Sequence, residues 1–265
     1  MRIPRAKTIA VVGFITGSLA LTFANAAAAL PLSAPAEVAP ISVPGTTAPV
    51  VGVDMSLPPL SQTQYYQAGP SPAKAIRAYR ASGKYVQDQQ DVAAAAETFL
   101  ADWLATTCGD TSQAVCRPVA VFDIDDTLLN WYPVYNAIDF RYSNVVNNTA
   151  IKECATPVIA PVRALLNKAK ALGAEVFLLS GRPDTQRTQT EACLRKRGIT
   201  GWSKLVLRSA EQASLSATQY KSAQRAQWQS EGWRIGLNIG DQVSDLAGGH
   251  TAGGFLLPNP MYYSP

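Results

Sequence analysis

Apolar runs of strand length alternate with segments of helical period through the second half of the chain. PVAVFDI (118–124), AEVFLLS (174–180), KLVLR (204–208), RIGLNIG (234–240) and GGFLL (253–257) are apolar almost throughout, as strands buried on both faces must be. Between them the periodicity predicts helices near 158–172, 184–198 and 217–231. Strands separated by helices need crossover connections, so the pattern predicts an α/β fold with a mostly parallel sheet flanked by helices. Upstream, AKAIRAYRASGKYVQDQQDVAAAAETFLADWLAT reads as two helices broken at Ser82-Gly83 and packed onto the strand-and-helix region downstream.

The N-terminal quarter reads differently. Arg2, Arg5 and Lys7 precede the apolar run TIAVVGFITGSLALTF (8–23) and the small-residue stretch Ala24-Asn25-Ala26, the three parts of a secretory signal peptide over residues 1–26. The run is shorter than a membrane span needs and carries Gly13, Gly17 and Ser18, so no stable membrane insertion is expected after cleavage. Loss of that segment takes the net charge from +4 to +1, which removes the basis for a nucleic-acid partner. Residues 27–65 are rich in Ala, Pro and Val with few charges and read as a linker or extended arm with no core of its own. Residues 66–265 are then one domain.

Export changes the reading of the four cysteines. Outside the cytoplasm an even count favours disulfides. Cys108 and Cys116 flank a short polar segment and are expected to pair, leaving Cys154 with Cys193. A zinc site is the competing reading, but the chain has no CxxC pair and one histidine.

In parallel sheets ligands bind beyond the carboxyl ends of the strands, and these ends carry polar residues: Asp123, Asp125 and Thr127; Ser180, Gly181 and Arg182; Gly240, Asp241, Ser244 and Asp245. Four carboxylates in one crevice would repel one another unless a divalent cation sat among them. All-oxygen ligation by Asp123, Asp125, Asp241 and Asp245 suits Mg2+; calcium is a further option, without EF-hand spacing. A carboxylate at Asp123 can attack phosphorus in line, and Asp125 can protonate the leaving oxygen and then deprotonate water. Ser180, Gly181 and Arg182 would bind the phosphate just ahead of a helix, with a structural ion pair as the other reading of Arg182. A lysine should neutralise the nucleophile. Of Lys196, Lys204 and Lys221, Lys221 stands near the start of the helix preceding the fourth strand, whereas the others fall toward the opposite end of the sheet.

Asp123-Ile124-Asp125-Asp126-Thr127 resembles the DxDxT signature of the haloacid dehalogenase (HAD) superfamily; FLLSGRPD, Lys221 and GDQVSD resemble its second, third and fourth motifs, in order. Within that superfamily FDIDDTLLN, YKSAQR, NIGDQVSDL and LPNPMYY are similar to the class B acid phosphatase group that includes plant acid phosphatases and vegetative storage proteins. The resemblance implies a Rossmann-like fold and hydrolysis of a small phosphomonoester. It implies magnesium held by the Asp123 carboxylate, the Asp125 main-chain carbonyl and Asp241, with Asp245 acting through water or as an orienting group. A storage or phosphate-binding protein without chemistry, and a phosphotransferase, are the alternatives; a receiver-type phospho-acceptor is disfavoured by the DxD spacing.

Other features have plainer readings. Asp126 is expected to be a helix N-terminal acid, Thr127 a cap or phosphate support, and His250 a surface-loop residue. The aromatic-rich segment 130–156 is expected to form a small cap, with Trp131, Tyr132, Tyr135 and Phe140 facing the leaving group. LPNPMYYSP reads as a tie for the C-terminus.

Overall fold

The computed structural model describes residues 38–53, 70–109 and 111–264; the expected signal peptide and much of the expected linker lie outside them. The described residues form strands β1 (Val38–Pro40), β2 (Val50–Val53), β3 (Pro118–Phe122), β4 (Glu175–Pro183), β5 (Lys204–Arg208), β6 (Arg234–Gly240) and β7 (Gly253–Leu256). The helices are α1 (Pro70–Ala81), α2 (Lys84–Thr107), α3 (Gln113–Cys116), α4 (Tyr132–Asn136), α5 (Asn144–Glu153), α6 (Ala160–Ala171), α7 (Arg187–Lys196), α8 (Ala217–Ser230) and α9 (Val243–Leu246). All strands join one sheet in the order β1-β2-β7-β6-β3-β4-β5. Every pairing is parallel except β1 with β2.

The side-chain alternation of β3 divides the core. Ala120 and Phe122 enter the large cluster with Leu100, Leu104, Val162, Leu165 and Leu166 of α2 and α6. Val119 and Val121 point the other way, to Tyr220 and Trp228 of α8. On β6, Ile235 joins the α8 face, whereas Leu237 and Ile239 join the opposite one. The pairing register with β3 slips at Gly236, where a Cβ would stand 2.3 Å from the Trp103 ring of α2; the glycine lets α2 lie directly on the sheet.

The break between α1 and α2 falls at Gly83, whose φ of 80° is left-handed and suits glycine. Buried Tyr85, Asp88, Gln89, Val92, Ala93, Ala96, Leu100 and Leu104 recur at helical spacing along α2. Both disulfides form as expected, Cys108 with Cys116 and Cys154 with Cys193. The second ties the end of α5 to α7.

One expectation needs correction. The stretch read as a linker or arm without a core contributes β1 and β2, and Val43 and Val50 within it are buried. Its apolar residues are separated by prolines and glycines, so no strand-length run shows in the sequence. The partner that orders it, β7, lies two hundred residues downstream.

Candidate active site

Three adjacent strands, β4, β3 and β6, end at the same edge of the sheet, and the chain changes winding direction there. Asp123 follows β3, Ser180 lies near the end of β4, and Asp241 follows β6. The Asp123 N–H donates to the Ile239 carbonyl at 3.0 Å, extending the ladder one residue into the site. Asp123, Asp241 and Asp245 are buried, and their carboxylate oxygens lie within 4.8 Å of one another.

Lys221 reaches this group from the first turns of α8. Its Nζ donates to Asp123 Oδ1 at 2.6 Å and to Asp245 Oδ1. Burial works against the Lys221 charge, but Asp123 and Asp245 outweigh it and raise the lysine's pKa. One lysine does not balance three carboxylates. Burial drives the pKa values of Asp123 and Asp241 well above the ordinary carboxylate value; Asp245 pushes both further, against the pull of Lys221 on Asp123. Close-set, all-oxygen donors with this surplus of negative charge fit a hard divalent cation such as Mg2+. Lys196 and Lys204 stand elsewhere, Lys196 exposed and Lys204 paired with Glu231.

Asp241 is oriented by amides: Gln242 Nε2 and Asn259 Nδ2 both donate to its Oδ2, at 2.6 and 2.7 Å. Thr127 Oγ1 donates to Oδ1 at 3.3 Å. Thr127 therefore links the first motif to the fourth and caps no helix. Gly240 is required by close approach, because a Cβ there would lie 2.2 Å from Asp245 Oδ2.

Asp125 and Arg182 form the second half of the site. Arg182 is buried and forks onto the Asp125 carboxylate, with Nε 2.8 Å from Oδ2 and Nη2 2.5 Å from Oδ1. Its Nη1 donates to Thr190 Oγ1 at 3.1 Å. Burial opposes the Arg182 charge, and Asp125 more than restores it. Trp131 Nε1 also donates to Asp125. Ser180 is buried and accepts from the Arg182 N–H at 3.2 Å, while Gly181 stands exposed beside it.

Two cavities adjoin here. One, of about 220 Å³, is lined by Asp123, Asp125, Ser180, Gly181, Arg182, Arg208, Lys221, Asp241 and Asp245. The other, of about 410 Å³, is lined by Trp131, Tyr135, Tyr142, Asn144, Asn147, Asn148, Ile151 and Gln186. Asp125, Gly181, Arg182 and Tyr262 line both. Of the four aromatic residues expected to face the leaving group, Trp131 and Tyr135 line the larger cavity. Phe140 lies beyond the end of α4 and is buried, packed with Tyr132.

Asp126 begins no helix. It occupies a left-handed turn, φ 53°, and its buried carboxylate accepts from the Trp131 N–H at 2.8 Å. Burial raises its pKa, against the hydrogen bonds from Trp131 and Tyr262. His250 is exposed in a loop, as expected, and meets Gln229. Sequence reasoning passed over Arg208, although it ends a strand on the same edge, and gave Asn259 and Tyr262 no role in the site, reading their tail as a resemblance and a tie for the C-terminus.

Residues 61–265 match the family described as HAD superfamily, subfamily IIIB (acid phosphatase). The chain belongs to that family. It is 39% identical over 153 residues to Acid phosphatase 1 of Solanum lycopersicum, covering 56% of this chain and 59% of that protein. It is 35% identical over 149 residues to the Stem 28 kDa glycoprotein of Glycine max, 54% and 59% of the two chains. With Vegetative storage protein 1 of Arabidopsis thaliana it shares 33% over 155 residues, 56% of each. The chain thus spans less than two thirds of these relatives' length. Among solved structures, the class C acid phosphatase from Bacillus anthracis is similar with a TM-score of 0.57 at 17% identity, over 73% of this chain and 85% of that one, a likeness of fold. The HAD-like fold and the order of the motifs agree with the expected family.

Proposed function

We propose that this member of the acid phosphatase family is an exported, magnesium-dependent phosphomonoesterase that works through an aspartyl-phosphate on Asp123. The observation that carries the reading is the junction of the two cavities at Asp125 and Arg182, beside the Lys221–Asp123 pair. A phosphoryl group in the smaller, charged cavity would have its ester oxygen directed to the larger one, with Asp125 between them.

Asp123 attacks phosphorus as the ester P–O bond breaks, and Asp125 delivers a proton to the departing oxygen. Asp125 then takes a proton from water, which attacks phosphorus and releases phosphate and free Asp123. Lys221 holds Asp123 in line and offsets charge on the transferring group. Ser180, the Gly181 amide and Arg182 receive the phosphoryl oxygens. Asp123, Asp241, Asp245 and the Asp125 carbonyl would hold the cation, which when bound polarises a phosphoryl oxygen and neutralises the carboxylates. The segment 130–156 acts as a cap that shapes the leaving-group side. Two disulfides suit an oxidising compartment, and no helix among the described residues is long and apolar enough to cross a membrane.

The name of the Arabidopsis thaliana relative, a vegetative storage protein, favours a second reading, a secreted storage or phosphate-binding protein. The intact Asp123 and Lys221, and their 2.6 Å contact, favour chemistry. The deciding experiment is steady-state hydrolysis of an aryl phosphate with magnesium and with chelator. Asp123→Asn is expected to lower kcat by about ten-thousand-fold or more. Full activity in that variant ends the covalent reading, and activity undiminished by chelator ends the metal assignment. Product analysis with an added nucleoside separates hydrolysis from phosphotransfer.

A further inference from the structure

The loop that carries Asp241 and Asp245 is gripped from two sides. The carbonyls of Asp245, Ala247 and Gly249 all accept from the guanidinium of Arg225, through Nη1 at 2.5 Å, Nη2, and Nε at 2.9 Å respectively. Arg225 lies one turn beyond Lys221 on α8 and is fully buried. Burial lowers its pKa to about 10, with Asp245 pulling the other way. A buried cation whose hydrogen bonds all go to peptide carbonyls tolerates little displacement of those carbonyls.

The opposite side of the loop faces residues 38–53. Leu246 and Ala247 form one buried cluster with Val43 and Val50, joined by Ile41, Val243 and Leu256. The Gly248 N–H donates to the Pro44 carbonyl at 3.1 Å. Gly248, with φ 79°, leaves no room toward α8, since a Cβ there would stand 2.6 Å from Ser222 Cβ. A Cβ on Gly45 would stand 3.3 Å from Gly248 Cα. The arm is held in turn by β7, through the parallel pairing of Val50–Gly52 with Gly254–Leu256 and the Gly254 N–H to Pro49 carbonyl bond at 2.9 Å. These arm residues lie upstream of residue 61, where the family match begins.

We propose that residues 38–53 are a positioning element of the active site, a strap that presses the loop bearing Asp241 and Asp245 against Arg225 and so sets the affinity for the cation. The inference rests on the reading that those aspartates hold magnesium. Val43 and Val50 touch no group in the charged cavity; they act through Leu246 and Ala247, the residues next to Asp245.

The test uses the full chain carrying Val43→Asp with Val50→Asp. Circular dichroism checks the fold, limited proteolysis the release of the arm, and calorimetry the binding of magnesium itself. Magnesium affinity is expected to fall about tenfold or more, while KM for an aryl phosphate at saturating magnesium stays within about twofold and kcat recovers. Wild-type magnesium affinity with a released arm overturns the proposal. If the double variant fails to fold, Val43→Ala and Gly45→Ala take its place, and their magnesium affinity should fall in step with protection of the arm. Unchanged affinity there overturns it too. Val206→Ala, in the α8-facing cluster and out of contact with the arm, should lower Tm without moving magnesium affinity; an equal loss would reduce the strap to general stability. A wild-type protein that binds no magnesium sinks the metal reading and this one together.

Discussion

The two cavities that meet at Asp125 and Arg182 are built on opposite principles. The smaller is walled by charged groups whose positions are over-determined. Lys221 ties Asp123 to Asp245, two amides hold Asp241, and Gly240 leaves room for the Asp245 carboxylate. The larger is walled by aromatic rings and amide side chains from two short helices, the residues flanking them and the C-terminal tail, several of them exposed. Trp131 and Tyr135 stack at 5.4 Å, and Tyr262 meets Tyr135 edge-on. Rigid placement belongs where charge develops in the reaction. An adaptable, partly apolar wall belongs where only the shape of the leaving group is felt. The difference predicts that changes in the first cavity alter rate for every ester, and changes in the second alter choice among esters.

Lys221→Met should give the largest effect. It leaves Asp123 and Asp245 buried without their cation, and kcat should fall about a hundred- to a thousandfold, equally for aryl and alkyl phosphates in steady-state assays. A loss confined to one ester class would break the division between the cavities. Asp125→Asn sharpens it, because Asp125 stands at the junction. With alkyl phosphates, whose leaving oxygen needs a proton, kcat/KM, which reports the steps up to departure of that oxygen, should fall about a hundredfold or more. With nitrophenyl phosphate, whose phenolate departs unaided, the loss in kcat/KM should be much smaller, while kcat still falls because Asp125 is missing from the attack of water. Equal losses would remove Asp125 from proton delivery. Tyr135→Ala should have the mildest effect, raising KM for aromatic esters about three- to tenfold and leaving competitive inhibition by inorganic phosphate unchanged. A matching rise in the phosphate inhibition constant would show that the cavities are not separable.

The contrast extends to legibility. Asp123, Ser180, Arg182, Lys221, Asp241 and Asp245 each lie within a few residues of a strand end or a helix start, and those boundaries follow from local periodicity. Arg208 obeys the same rule and was readable, but no motif drew attention to it. The larger cavity has no comparable signal. Tyr135 and Phe140 look alike in the sequence and both are buried, yet only Tyr135 lines the recess. The packing of Phe140 against Tyr132 keeps the Phe140 ring out of it. Asp126 failed for a related reason: an acid following a strand suits a helix start, but here the chain turns left-handed and buries the carboxylate under Trp131.

Local pattern was enough to predict a parallel α/β sheet, the edge where its polar residues gather, an expected pairing of the cysteines and a cluster of carboxylates suited to a cation. These rest on period, spacing and charge, which are properties of neighbours along the chain. Contacts across long separations were needed for the rest: Asn259 and Tyr262 returning from the tail, Arg225 gathering three carbonyls, and residues 38–53 lying against a loop two hundred positions away. A short strand among prolines has no reason to order by itself, because the entropy of fixing it is offset only once β7 and the Leu246–Ala247 loop supply a surface to pair with and bury against.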